Sequence, residues 1–269
     1  MVASRREPLS QHFLWNRRLV SRLVRASSIS PHDLVLEIGP GRGILTQVLL
    51  QAAASVVAVE LDEKLCRLLR KKLGHYPNLV LVQGNCLAMR LPQAPYKVFS
   101  NIPFRHTGDI LRKLIQSDTP PADSYLVVQS EAAAKFCAHA RRNSLAALLY
   151  YPWWDIRVAH HFQRSDFVPP PSVECVLLQI TRRQTPLLDS RQKPIYQDYV
   201  ADRFGRDQGA KDIAPGRFLG AFLSFLHRSN PRQLRAIHGA FAKLQEQQRR
   251  LRKIHRTRTD PNWKKFRRE

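Results

Sequence analysis

From residue 34 to residue 129 the chain alternates short apolar runs with amphipathic stretches, a rhythm that few architectures accept. The runs "DLVLEIG" (33–39), "SVVAVEL" (55–61), "NLVLVQG" (78–84), "YKVFSN" (96–101) and "SYLVVQS" (124–130) are rich in Val and Leu at successive positions. Strands buried on both faces read this way. Between them, "ILTQVLLQAAA" (44–54), "DEKLCRLLRKKL" (62–73) and "TGDILRKLIQS" (107–117) set apolar residues three and four apart, with Asp62 and Thr107 suited to cap helices. Strand and helix in alternation predict an α/β fold, a parallel sheet covered on both faces.

Around this block, "NRRLVSRLVRAS" (16–27) predicts a helix with Leu19, Val20, Leu23 and Val24 inward and its arginines outward. After it, "SLAALLYYPWWDIRVAHHF" and "SVECVLLQITRR" read as two further strands separated by the loop "VPPPS" (168–172). From about Pro186 the composition changes, and "KPIYQDYVADRFG", "PGRFLGAFLSFL" and "NPRQLRAIHGAFAKLQ" predict short helices opened by Pro or Asn-Pro. The expected organisation is a basic arm and helix over 1–30, the sheet domain over 31–183, a small helical C-terminal domain over 184–248 and a basic tail over 249–269. That tail sets ten Lys or Arg against two acids. It reads either as a solvated charged helix or as an arm that contacts phosphates, with Trp263 and Phe266 available to stack on bases.

Charge narrows the partner. The 269 residues include 44 Lys or Arg against 21 Asp or Glu, a formal charge of +23. Such a field attracts a polyanion, either a nucleic acid or an anionic membrane surface. A hydrophobic fraction of 43% and a charged fraction of 24% exclude wholesale disorder and collagen-like repeats. No apolar run is long enough to span a bilayer, and "MVASRREPLSQHF" lacks the apolar segment of a signal peptide, so a cytoplasmic location is expected. Cys66, Cys86, Cys137 and Cys175 are scattered and the ten histidines form no ligand array, so neither metal nor disulfide framework is expected.

The candidate chemistry lies at strand ends, where an open α/β sheet binds ligands. "EIGPGRG" closes the first strand with Gly39, Gly41 and Gly43, which let the backbone turn sharply and approach a ligand, although many ligand-free turns do the same. Glu60 ends the second strand, where a carboxylate can accept from both hydroxyls of a ribose. Asn85 ends the third, facing an adenine amine or simply making a turn. The third glycine comes one residue too early for a dinucleotide fingerprint, and an acid, Glu37, precedes the first. This spacing favours S-adenosyl-L-methionine over NAD.

"NIPF" (101–104) ends the fourth strand beside the same crevice. The exocyclic amine of adenine is a poor nucleophile because its lone pair is delocalised into the ring. The Asn101 oxygen and a carbonyl of Ile102–Pro103 can hold its two N–H bonds, and Pro103 stiffens that backbone. Phe104 can stack on the extracted base. The plainer reading is a turn with Asn as cap and Phe returning to the core.

Together "LSQHFL" (9–14), "EIGPGRGILT" (37–46), "VAVELDEKLC" (57–66), "NIPF" and "DFVPPPSVECVLL" (166–178) resemble the rRNA adenine N6-dimethyltransferases, and within them the Erm family. The resemblance implies a Rossmann-like class I methyltransferase domain, S-adenosyl-L-methionine as cofactor and an adenine of 23S rRNA as target. It also implies resistance to macrolide, lincosamide and streptogramin B antibiotics, with a monomer expected. By position it implies that His12 and Leu14 line the cofactor entrance, and that Gly39 and Gly41 contact the methionine end. Glu60 would hold the ribose, Leu61 would join the cofactor-binding residues, Asn85 and Cys86 would face the cofactor adenine, and Asn101 would contact both methyl donor and target amine, within the catalytic stretch Asn101, Ile102, Pro103 and Phe104. The family usually has Asn where this chain has His12 and Asp where it has Asn85. Losing a charged acceptor at Asn85 predicts cofactor binding weaker by ~1 kcal/mol. The competing readings are a KsgA-type enzyme acting on 16S rRNA, a non-catalytic nucleic-acid-binding protein with this fold, and a nicotinamide oxidoreductase, the last disfavoured by glycine spacing and charge.

Overall fold

The structure, a computed structural model, describes residues 12–257 apart from 142 and 207. The expectations placed on residues 1–11, on Trp263 and Phe266, and on the tail beyond 257 lie outside the described residues. The chain divides into two compact units: Trp154–Gln184 together with the chain up to Cys137, and Ala138–Trp153 together with the chain from Thr185.

The first unit opens with β1 (Phe13–Leu14) and α1 (Arg17–Arg25). The alternating block follows as β2 (Leu34–Ile38), α2 (Ile44–Ala52), β3 (Ser55–Glu60), α3 (Glu63–Leu73), β4 (Leu79–Gln83), β5 (Lys97–Asn101), α4 (Thr107–Gln116), β6 (Asp123–Gln129) and α5 (Ser130–Ala134). Among the described residues seven strands form one sheet in the order β4-β3-β2-β5-β6-β9-β7, where β7 is Trp154–His161 and β9 is Cys175–Arg182. The five strands of the block are parallel as predicted. β9 runs antiparallel to both β6 and β7, so the sheet is mixed rather than wholly parallel. The physical reason is the β7–β9 connection, which contains no α-helix to serve as the crossover that a parallel pair needs. Chain order reverses between β2 and β5, so the crevice at their carboxyl ends is the switch point where such sheets bind ligands. A second, two-stranded antiparallel sheet pairs β1 with β8 (Phe167–Val168), Phe13 opposite Val168 and Leu14 opposite Phe167. It ties residues to each other that lie more than 150 positions apart.

The apolar faces explain the layers. Leu19, Val20, Leu23 and Val24 of α1 are buried with Leu45, Val48 and Leu49 of α2, and both helices cover Val35 and Val56 of the sheet. Asp62 caps α3 as expected, its Oδ1 accepting from the N–H groups of Lys64 (2.7 Å) and Leu65 (3.2 Å).

The second unit holds α6 (Leu145–Tyr150), α7 (Lys193–Arg206), α8 (Pro215–Arg228), α9 (Pro231–Ile237) and α10 (Ala240–Thr257). The segment "SLAALLYYPWWDIRVAHHF" is therefore not one strand: its first part is helical, and extended chain begins only at Trp154. Leu and Ala without β-branched neighbours favour helix, and Ser144 caps it by accepting from the Ala147 N–H at 3.0 Å. Likewise the last predicted helix is broken at Gly239, whose φ of +76° ends the run between α9 and α10. Asp198 of α7 then accepts from the N–H groups of Gly239 and Phe241, both at 3.0 Å, and caps the start of α10. The unit is packed on aromatic rings: Tyr196, Tyr199, Phe218 and Phe222 are buried together, and the Tyr196 hydroxyl donates to Leu148 O at 2.8 Å.

Candidate active site

The glycine turn after β2 and "NIPF" after β5 meet in the crevice. Gly39 has a φ of +70°, and a Cβ there would lie 3.8 Å from Pro103 Cδ and 3.9 Å from Asn101 O. Gly41 is more constrained. Its φ is +57°, and a Cβ would come within 2.5 Å of Cε1 and 2.8 Å of Cδ1 of Phe13, so the ring on β1 occupies the space that a side chain would need. The Arg42 guanidinium lies 5.2 Å from the centroid of the same ring.

Glu60, 4% exposed, braces the turn from the end of β3. One carboxylate oxygen accepts from the Gly41 N–H and the other from the Asp62 N–H, both at 3.0 Å. Leu61 beside it is 59% exposed, an apolar side chain left open at the crevice. The Gly84 N–H donates to Glu60 O at 2.8 Å and brings the end of β4 alongside. There Asn85 is a turn residue first, because its Oδ1 accepts from the Leu87 N–H at 2.9 Å. Burial pushes the thiol of half-buried Cys86 up from its ordinary value.

Asn101 is oriented by a partner distant in sequence. Its Nδ2 donates to His12 O at 2.7 Å, and among the described residues no donor engages the side-chain oxygen. His12 in turn donates through Nδ1 to Pro169 O at 2.8 Å, since a carbonyl can only accept, and this fixes the tautomer. Its ring stacks on Phe104 with centroids 5.7 Å apart and planes at 24°. Pro103 O accepts from the His106 N–H at 2.9 Å, so of the two carbonyls considered it is the one already engaged. Leu14 and Ile102 are 5% and 2% exposed and pack inside.

Sequence reasoning missed Phe13 and Pro169, which hold the Gly41 turn and His12. Their only sequence signal is the co-occurrence of "QHFL" and "FVPPP", and nothing local says that the two segments pair.

Glu37 is 1% exposed, and among the described residues its Oε2 has no hydrogen-bond partner. Burial raises its carboxyl to about 8; Thr46 works in the opposite sense and the Glu60 charge adds to the rise. The unfolded chain releases this proton near the ordinary value of 4.5. Between the two values the folded protein keeps a proton that the unfolded chain has lost, so stability falls as pH rises and levels off above the folded value. In Glu37→Gln the loss should vanish: across about pH 5 to pH 9 the variant should gain on the wild type by at most roughly 5 kcal/mol in denaturant titrations. Parallel stability curves would refute the assignment.

Among the described residues no cluster of His, Cys, Asp and Glu could hold a metal ion, and no helix is long and apolar enough to cross a membrane.

Residues 2–209 match the family model described as ribosomal RNA adenine dimethylase. The chain is 33% identical over 175 residues to an rRNA adenine N-6-methyltransferase of Bacillus licheniformis, an alignment covering 65% of this chain and 61% of that protein. It is 36% identical over 195 residues to a ribosomal RNA small subunit methyltransferase A of Nostoc sp., covering 66% and 72%. Among solved structures it is similar to the 23S rRNA methyltransferase ErmE, with a TM-score of 0.68 and 29% identity over 73% of this chain and 80% of that one. A dimethyladenosine transferase from Plasmodium falciparum gives 0.64 and 25%, over 72% and 71%.

Proposed function

Because this chain belongs to the ribosomal RNA adenine dimethylase family, we propose that it transfers methyl groups from S-adenosyl-L-methionine to the N6 amine of an adenine in 23S rRNA. The observation that carries the reading is the orientation of Asn101: with its amide nitrogen committed to His12 O, its oxygen is the acceptor offered to a substrate amine.

The residues fit the cofactor. The positive-φ turn at Gly39 and Gly41 brings backbone close enough for a methionine carboxylate and amine, and the buried Glu60 stands where ribose hydroxyls would donate. Leu61 and the turn of Asn85 and Cys86 would flank the adenine, while His12 would border the methionine end. When bound, the cofactor supplies an electrophilic methyl on a sulfonium. The chain's part is positioning. Asn101 Oδ1 accepts one N–H of the target amine and Ile102 O the other, which opposes delocalisation of the nitrogen lone pair and aims it. Phe104, backed by the His12 ring, stacks on the extracted base.

A KsgA-type activity on 16S rRNA is the second reading, favoured by the identity to the Nostoc small-subunit enzyme. Purified protein incubated with labelled cofactor and protein-free 23S and 16S transcripts separates the two. Label in 23S rRNA alone, as N6-methyladenine, and raised macrolide resistance in a sensitive bacterium expressing the chain are the expected results. Label in 16S rRNA alone would transfer the assignment to the second reading. Tight RNA binding with no label in either would make the chain a non-catalytic binder.

A further inference from the structure

Trp15 is 58% exposed, yet it is not loose. Its indole N–H donates to Ser165 O at 2.6 Å and its backbone N–H to Asp166 O at 3.3 Å. The single polar atom of the ring is thus satisfied and the ring direction set, while most of its apolar area faces outward. A large aromatic kept rigid and open is costly in water unless something covers it.

What lies beside it is positive. Asn16 caps α1 by accepting from the Leu19 N–H at 3.1 Å, and the helix that follows carries Arg17, Arg18, Arg22 and Arg25 with no acid. The apolar face is buried, so all four arginines are exposed, and they line an open hollow of about 790 Å³. Among the described residues none of the four is paired with a carboxylate. Burial, and then the charge of Arg22, hold the imidazole of His160 on β7 below its ordinary value. Trp15 follows β1 directly and stands three residues from His12, whose carbonyl orients Asn101, a span of at most about 10 Å of extended chain.

We propose that Trp15 is a stacking platform for a nucleobase neighbouring the target adenine, and that the arginine face of α1 binds the phosphates of the same RNA strand. The inference rests on the reading of rRNA as substrate and adds where the flanking strand runs. Unpaired RNA bases stack on exposed aromatic rings, and a phosphate track next to such a ring sets the register of the strand.

The test measures binding of a protein-free 23S rRNA transcript over a range of salt, together with cofactor affinity. Trp15→Ala should weaken RNA binding about 10- to 100-fold and leave cofactor affinity unchanged, while Trp15→Phe, which keeps an aromatic face, should stay close to the wild type. Arg18→Gln with Arg22→Gln should flatten the plot of log Kd against log salt by about 1.4 to 1.8 in slope. If the wild type methylates the transcript and Trp15→Ala binds it equally well at every salt concentration, the platform is refuted and the methyltransferase reading survives. If Trp15→Ala leaves RNA binding alone but abolishes association with a ribosomal protein or a second copy of the chain, the surface is a protein contact and the proposal falls. A wild type that neither binds nor methylates the transcript would overturn the substrate reading, and the platform with it.

Discussion

Replacing Asn101 by Ala is expected to lower kcat for methyl transfer on the order of 10²- to 10³-fold, while cofactor affinity changes only a few-fold. One hydrogen bond sets the amide. With Nδ2 donating to His12 O, Oδ1 is the acceptor proposed to meet the substrate amine, and Ala removes the acceptor without filling its place. Since the proposed contact to the target amine strengthens as the nitrogen becomes pyramidal, its loss belongs to the transition state and should appear in kcat rather than in KM for RNA. Single-turnover methylation with labelled cofactor, beside calorimetric cofactor binding, measures both. An unchanged single-turnover rate would remove Asn101 from the chemistry.

Gly41→Ala should be the most damaging of the small substitutions. The new Cβ must adopt a left-handed backbone and would stand 2.5 Å from a ring carbon of Phe13. Those two penalties sum to roughly 2–5 kcal/mol of stability. The damage should not stay local. Moving Phe13 disturbs β1, hence His12 O and the Asn101 amide, and moving the turn disturbs the bond from the Gly41 N–H to Glu60. Cofactor affinity and kcat should therefore both fall, each by about tenfold or more. A double-mutant cycle with Phe13→Leu separates the causes, because removing the ring relieves the clash but not the backbone strain. Recovery of about half the lost stability is expected. An additive cycle would show that Phe13 does not confine the turn.

Much of this was legible in the chain itself. Val- and Leu-rich runs and helical spacing are local, so β2 to β6, the helices between them and the Asp62 cap could be read directly, as could the glycines and "NIPF" at the strand ends, whereas Thr107, the other expected cap, is the first residue of α4 and donates to Phe104 O. One misreading has a physical cause: residues 145–150 are apolar enough to pass for a buried strand, and only the Ser144 cap and the absence of β-branching argue for helix. Of the two readings open for Asn85 the turn is formed, its oxygen accepting from the Leu87 N–H, and an amide oxygen can accept a second hydrogen bond.

Sequence alone determined the chemical vocabulary: an α/β sheet with glycines, a carboxylate and an amide at successive strand ends, on a chain of +23. Tertiary structure decided how those words combine. The pairing of β1 with β8 joins residues 13–14 to 167–168, places Phe13 against Gly41, holds the Asn101 amide through His12 O and fixes the exposed Trp15 ring. The burial of Glu37, which raises its carboxyl, arises in the same way. Side-chain spacing and turn preference act over a few residues and leave a mark in any window of sequence. Contacts between segments more than 150 residues apart leave none, because they depend on which surfaces the finished sheet brings together.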